Sequence, residues 1–231
     1  MGSTTREGNF FVLTQYLSFA ISQTQYDQFL TSNFGFLAAI INQTYSISKF
    51  STSPYPGFTA MSTVITDYFF RCPTYRGLRT AAKNGIRVWT YSFNHTPSCQ
   101  YFAGLPQNFF LLLGPTHTTE IPFVFGLVDN LPPPNGNCSF TAAEKQISAF
   151  LLAAWTSMAA AGTPGPGWPA FETNSSMGIN VDDSVAAGVV DYSMCAFWDL
   201  IDTGVLLLDA IDTSHLRMPR HPVWSRVDVH T

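Results

Sequence analysis

Two polar segments of the sequence carry side chains that could take part in hydrolysis. Glu7 lies between glycines in Gly2–Phe11, and His117 follows a Gly-Pro pair just before an apolar segment. A carboxylate that holds an imidazole in one tautomer, and an imidazole that takes a proton from a nucleophile, are two members of a hydrolytic triad. On residue types alone, the commoner interpretations remain open: Glu7 as a solvated turn residue and His117 as a hydrogen-bonded loop residue.

Side-chain spacing predicts the elements that would position these two residues. Apolar side chains on both faces of Ile86–Phe93 are typical of a strand covered on both sides in an α/β protein. A capping box formed by Thr141 and Glu144 predicts a helix that ends at Gly162. We interpret Gly2–Phe11 as a turn after a strand end, where α/β sheets bind ligands. Further elements are predicted as helices over Tyr26–Tyr45 with a break near Gly35, over Phe58–Phe70, from Pro73 to Gly85 and over Asp191–Leu200, and as a short strand over Met177–Val181.

The composition indicates a folded protein of an oxidising compartment. Of the 231 residues, 46% are apolar and 11% are charged, and the net charge is −4 without a basic cluster, which excludes a disordered chain and argues against a nucleic-acid partner. We expect no transmembrane segment, and the chain begins without a signal peptide. Its cysteines are Cys72, Cys99, Cys138 and Cys195, and its glycosylation sequons begin at Asn42, Asn94, Asn137 and Asn174. Four cysteines together with four sequons favour a secreted, extracellular protein.

Longer motifs connect both segments to one family. The Glu7-Gly8 turn with its following phenylalanines, and the run Gly-Pro-Thr-His-Thr-Thr-Glu-Ile-Pro-Phe-Val-Phe-Gly at 114–126, resemble the C-terminal part of type-B carboxylesterases. That family includes cholinesterases and fungal lipases. The resemblance extends from about Met1 to Trp198, whereas Arg6 departs from it because many members have an acidic residue there.

The resemblance implies a fold, an activity and a set of site residues. The fold class would be α/β, as the C-terminal part of an α/β-hydrolase fold with an incomplete central sheet and flanking helices. Glu7 would be the triad acid, His117 the triad base, and Glu120 a buried acid that supports the histidine loop. The substrate would be a carboxylic ester, and the chemistry needs no cofactor and no metal. The implied disulfide is Cys72–Cys195, which leaves Cys99 with Cys138; four buried thiols are the alternative.

The nucleophile of such an enzyme is not found in this sequence. No Gly-x-Ser-x-Gly occurs, and the glycine-rich oxyanion segment that precedes the serine in the family is absent too. We therefore expect residues 1–204 to be the C-terminal part of an esterase domain, inactive alone, whose serine-bearing half precedes Met1. Residues 205–231, with His215, His221 and His230, are interpreted as a divergent, poorly ordered tail rather than a metal site. A non-catalytic cholinesterase-like binding or adhesion module and a degenerate remnant remain alternatives, and the oligomeric state stays open.

Overall fold

A small mixed sheet organises the described part of the chain. The computed structural model describes residues 2–101, 103–104 and 107–211. Its strands lie in the order β1-β2-β3-β4, with β1 at Gly2–Thr4, β2 at Tyr91–Phe93, β3 at Met177–Val181 and β4 at Val185–Val189. The first three strands are parallel, and β4 pairs antiparallel with β3. This arrangement confirms the expected α/β class with an incomplete sheet.

Helices cover most of the remaining described chain. The α-helices are α1 (Glu7–Tyr16), α2 (Gln23–Phe34), α3 (Ala38–Thr44), α4 (Pro56–Ile65), α5 (Cys72–Lys83), α6 (Gln107–Leu113), α7 (Ile121–Val124), α8 (Ala142–Ala161) and α9 (Cys195–Ile211). Short 3₁₀ helices lie at Gly35–Leu37 and Ile47–Phe50, and the segment Thr66–Arg71 is a π-helix. The break expected near Gly35 is confirmed, because Gly35 takes a positive φ of 54° that ends α2.

Two clusters of buried side chains hold these elements together. One joins α1 to α5 with α9 and includes Val12, Met61 and Trp198. The other packs β2 and β3 against α7 and α8 and includes Phe93, Leu151 and Val181. Helix α1 approaches α4 so closely that a Cβ atom added at Gly8 would lie 2.1 Å from the Ser62 carbonyl oxygen. Glycine at position 8 is therefore required by this contact.

The sequence-based description of local structure needs correction at three points. Residues from Glu7 onward form α1 instead of a turn, because the N-terminal part of this helix packs against α4. The predicted strand Ile86–Phe93 is ordered as a strand only over Tyr91–Phe93, where it pairs on both sides. Before that point its backbone bonds to a loop, since the Val88 carbonyl accepts from the Phe171 amide at 2.8 Å. Strand β4 was not predicted; it pairs with β3 through a tight turn in which the Asp182 amide donates to the Ser184 carbonyl.

The predicted capping box starts α8 and extends into a larger polar cluster. Thr141 accepts from the Glu144 amide at 3.2 Å, and the Glu144 carboxylate accepts from the Thr141 amide at 2.8 Å. The same carboxylate accepts from the amide and the hydroxyl of Ser98, both at 2.6 Å. His95, in the loop after β2, places its ring nitrogens 3.2 Å from Glu144 and 3.2 Å from Asp183. Glu144 therefore ties the segment after β2 to the start of α8.

Replacing Glu144 with glutamine should lower the free energy of unfolding by about 2 kcal/mol at pH 7, since one amide oxygen cannot serve all these donors. Burial opposes the charge on Glu144, but the hydrogen bonds from Ser98 and Thr141 outweigh it and lower the pKa to about 2 from 4.5. A depressed pKa stabilises the fold above about pH 4.5, and this contribution is lost as the pH falls towards 2.

Urea unfolding between pH 7 and pH 3 checks this prediction. The parent chain should lose stability more steeply over that range than Glu144→Gln. Glu172→Gln, at an exposed carboxylate, serves as the matched control. Equal pH slopes for the parent and Glu144→Gln would contradict the role assigned to Glu144.

The cysteines pair as the resemblance implies. Cys72 is bonded to Cys195, and Cys99 is bonded to Cys138. Among the sequon asparagines, Asn94, Asn137 and Asn174 are exposed, and the Asn94 amide nitrogen donates to Asp182 at 2.7 Å. The amide nitrogen of Asn42 lies 3.4 Å from Asp27.

Two findings bear on the ends of the chain and on membranes. In the described residues, no helix is long and apolar enough to span a bilayer. Helix α9 continues to Ile211, beyond the domain boundary expected at residue 204. Residues 212–231 of the predicted tail 205–231, with His215, His221 and His230, lie outside the described residues.

Candidate active site

The acid turn, which we define as Thr4–Gly8, joins β1 to α1. The Thr5 amide continues the sheet by donating to the Phe93 carbonyl at 2.9 Å. The Thr4 amide donates to Glu7 Oε1 at 2.8 Å, which folds the glutamate side chain back over the strand end. Glu7 is consequently only 4% exposed, although it is the first residue of a helix. A buried carboxylate at the end of a parallel strand lies where α/β proteins place their ligands.

The histidine loop, which we define as Gly114–Glu120, has a constrained backbone. Gly114 has a φ of 62° and Thr118, directly after His117, has a φ of 67°. For a β-branched residue this conformation is strained, and strained residues concentrate at functional sites. The Tyr101 hydroxyl donates to the His117 carbonyl at 2.7 Å and lies 2.9 Å from the Thr118 hydroxyl. These contacts hold the histidine loop at His117 and Thr118.

Three hydrogen bonds join α1 and the acid turn to the histidine loop and the residue before it. The Arg6 amide donates to the Pro115 carbonyl at 3.1 Å. The Phe10 amide donates to the Thr116 hydroxyl at 2.8 Å, and the Asn9 side chain donates to the Leu113 carbonyl at 2.7 Å. Segments more than 100 residues apart in sequence are thereby held in a fixed position relative to each other.

The structure brings the predicted acid and the predicted histidine into direct contact. His117 Nδ1 lies 2.7 Å from Glu7 Oε2. The hydrogen bond to Glu7 raises the pKa of His117 above 6.5, against the opposing effect of burial. In neutral His117 this contact keeps the proton on Nδ1, so that Nε2 is free to accept another. The imidazole is 35% exposed and lies beside the rings of Phe10, Phe11 and Phe70, the nearest of which has its centroid 5.0 Å away.

Glu120, the third predicted site residue, comes three residues after His117 and has no hydrogen bond to it among the described contacts. Its Oε2 atom is buried and has no hydrogen-bond partner among the described residues. Burial raises the pKa of Glu120, the charge of Glu7 adds to this effect, and the charge of His117 opposes it. The negative charge of Glu120 also raises the pKa of His117.

Sequence comparison assigns the chain to a family. The sequence profile described as "Carboxylesterase family" matches residues 1–198. The chain belongs to the carboxylesterase family. The resemblance predicted from the motifs around Glu7 and His117 is thereby confirmed, over the span that the sequence indicated.

Individual relatives in the carboxylesterase family are distant. Acetylcholinesterase of Leptinotarsa decemlineata is 24% identical over 86% of this chain and 32% of its own length. Acetylcholinesterases of Bungarus fasciatus and Gallus gallus are 25% and 27% identical over 61% and 63% of this chain, and over 22% and 18% of their own lengths. The chain thus spans about a third or less of the curated relatives that it matches.

Sequence reasoning missed several residues that surround this carboxylesterase-family site. Thr66, Phe70 and Arg71 contact the acid turn or the imidazole, and no sequence motif indicated these roles. The i, i+4 spacing of Asp67 and Arg71 was the available signal, since it predicts an ion pair on one helix face. Among the described residues, no cluster of three or more histidine, cysteine or acidic side chains could hold a metal ion.

Proposed function

We propose that this chain is part of a serine-type carboxylic ester hydrolase, in which Glu7 and His117 are the acid and the base of the catalytic triad. The observation that supports this function is the 2.7 Å contact between Glu7 Oε2 and His117 Nδ1. The contact leaves Nε2 of a partly exposed imidazole free to take a proton from a nucleophile. Membership of the carboxylesterase family supports ester substrates.

The proposed mechanism is acyl transfer in two steps. His117 Nε2 takes the proton of a serine hydroxyl as its oxygen attacks the ester carbonyl, and the imidazolium then gives that proton to the departing alcohol. Water, deprotonated by the same nitrogen, then attacks the acyl-serine and releases the carboxylic acid and the serine. Glu7 orients the imidazole and stabilises its charged form in both steps. Glu120 supports the histidine loop.

We infer that the serine comes from outside the given sequence, because these 231 residues contain no Gly-x-Ser-x-Gly. We propose a longer protein whose serine-bearing part completes the site, and the two disulfides support an extracellular location. The missing motif also favours a second candidate, a non-catalytic binding module of the same fold. A module of that kind would have no need for the Glu7–His117 pair.

The test compares two proteins. One is residues 1–231, and the other, termed the extended protein, is the product of the longest reading frame that contains them in frame. Residues 1–231 should hydrolyse p-nitrophenyl esters no faster than buffer, because the nucleophile is absent. The extended protein should hydrolyse them and react covalently with a fluorophosphonate. An extended protein without turnover or labelling would favour the binding module, and turnover by residues 1–231 that disappears in His117→Ala would refute the division of the triad.

A further inference from the structure

The π-helix Thr66–Arg71 contacts both sides of the proposed catalytic pair. The Thr66 hydroxyl accepts from the Gly8 amide at 2.9 Å, directly after Glu7. The Arg71 guanidinium donates to the Thr5 carbonyl at 3.2 Å, two residues before Glu7. Between these points, the Phe70 ring lies 5.3 Å from the imidazole of His117, measured between centroids. Such π-helical turns are rare, and they occur frequently at functional sites.

Arg71 is itself fixed by a buried partner. Its guanidinium forms an ion pair with Asp67, whose side chain is 1% exposed. The Tyr45 hydroxyl donates to the other oxygen of Asp67 at 2.8 Å, and the Trp198 indole donates to the Tyr45 oxygen at 2.9 Å. A continuous series of hydrogen bonds thus runs from α9 through Asp67 and Arg71 to the backbone of the acid turn.

Glu7 depends on that backbone for its position. The described hydrogen bonds of its carboxylate are those from the Thr4 amide and from His117. The Thr4 amide is itself part of the acid turn. A shift of the Thr5 peptide would move both the Thr4 amide and the start of α1. Small displacements of this kind are costly, because catalytic groups require their geometry to within about 0.5 Å.

We propose that Arg71, held by Asp67, is a positioning residue that fixes the acid turn so that the Glu7 carboxylate meets His117. Arg71 has no described contact with Glu7 or His117, and it acts through the Thr5 carbonyl. The role rests on the proposed function, in which the Glu7–His117 contact prepares the base. The Glu7–His117 contact raises the pKa of His117, and this effect does not need the nucleophile. It can therefore be measured in residues 1–231.

The test is the titration of His117 in residues 1–231, followed through the ring nitrogens by NMR. The double variant Asp67→Asn/Arg71→Gln removes the ion pair without leaving a buried charge unpaired and without changing the net charge. The pKa of His117 should fall below that of the parent, and the neutral ring should lose its preference for the Nδ1–H tautomer.

The conservative variant Arg71→Lys separates positioning from a direct effect of charge. Asp67→Asn/Arg71→Gln removes one negative and one positive charge, whose direct effects on the pKa of His117 oppose each other. Arg71→Lys keeps both charges, so a fall in the pKa of His117 in that variant comes from displacement of the acid turn. Glu120, the other carboxylate that raises this pKa, is unchanged in both variants.

Two further variants complete the experiment. Arg76→Gln/Asp199→Asn removes a partly exposed ion pair from α5 and α9 with the same chemical changes, and it should leave the His117 titration unchanged. Arg71→Lys keeps a cation beside Asp67. Its single ammonium cannot replace the guanidinium, which donates both to Asp67 and to the Thr5 carbonyl, so the pKa of His117 should again fall. An unchanged or raised pKa in folded Asp67→Asn/Arg71→Gln, or in Arg71→Lys if the double variant does not fold, would overturn the proposal. Since this readout needs no serine, an inactive extended protein would refute the proposed function and leave the positioning role standing.

Discussion

Glu7→Gln in the extended protein is expected to lower kcat for ester hydrolysis by about 10⁴-fold, the loss typical of a triad whose acid becomes an amide. In the parent, Glu7 Oε2 accepts the Nδ1 proton of His117 at 2.7 Å. A glutamine can turn its NH₂ group towards Nδ1, which moves the imidazole proton to Nε2. That nitrogen then cannot take a proton from the serine.

The pH dependence provides a second readout of the same substitution. The hydrogen bond to Glu7 raises the pKa of His117 from 6.5, and the base must be neutral to act. In the parent, kcat/KM should therefore rise with pH through a midpoint above 6.5. In Glu7→Gln the remaining activity should rise through a lower midpoint, because the imidazolium has lost its charged partner.

Glu172 provides a matched control for this substitution. Glu172→Gln makes the same chemical change at an exposed position, and it should retain the parent kcat. His117→Ala should lose at least as much activity as Glu7→Gln, since members of a triad act as a unit. A loss below about tenfold in Glu7→Gln, with the fold intact by circular dichroism, would remove Glu7 from the proposed mechanism.

The sequence predicts those parts of the site whose signals are local. A capping box needs only residues three apart, and Thr141 with Glu144 starts α8 as predicted. The helix break at Gly35 is local in the same sense, because a glycine permits the positive φ that ends α2. The pairing of Glu7 with His117 is not local. It could be predicted from the sequence because each residue lies in a motif that resembles those of one family.

The elements that position the pair were harder to predict, because their partners lie far apart in sequence. Arg71 contacts the Thr5 carbonyl across 66 residues, and no spacing rule connects the two positions. Helix spacing extended correctly through Phe70, but it could not distinguish an α-helix from the π-helix of Thr66–Arg71. The contacts of His95 could not be predicted either, because its partners Glu144 and Asp183 come from other elements. Tertiary contacts of this kind decide the geometry of the site.

Removal of the Cys72–Cys195 disulfide should cause a larger loss of stability than any of the other proposed substitutions. This bridge closes a loop of 123 residues, whereas Cys99–Cys138 closes one of 39. If a disulfide stabilises by restricting the unfolded chain, the paired cysteine-to-alanine variants should lose about 5 and about 4 kcal/mol respectively. Losses of this size approach the whole stability of a typical domain.

The longer bridge also bears on the site. Cys72 directly follows Arg71, and Cys195 starts α9, which carries Trp198 of the hydrogen-bond series to the acid turn. In Cys72→Ala/Cys195→Ala, the free energy of unfolding in urea and the pKa of His117 should therefore fall together. Cys99→Ala/Cys138→Ala should lose stability while changing the His117 titration less, since Trp198 and Arg71 keep their anchor. If the bridge of 39 residues proved to contribute more stability than the bridge of 123, restriction of the unfolded chain would not be the dominant effect of these disulfides.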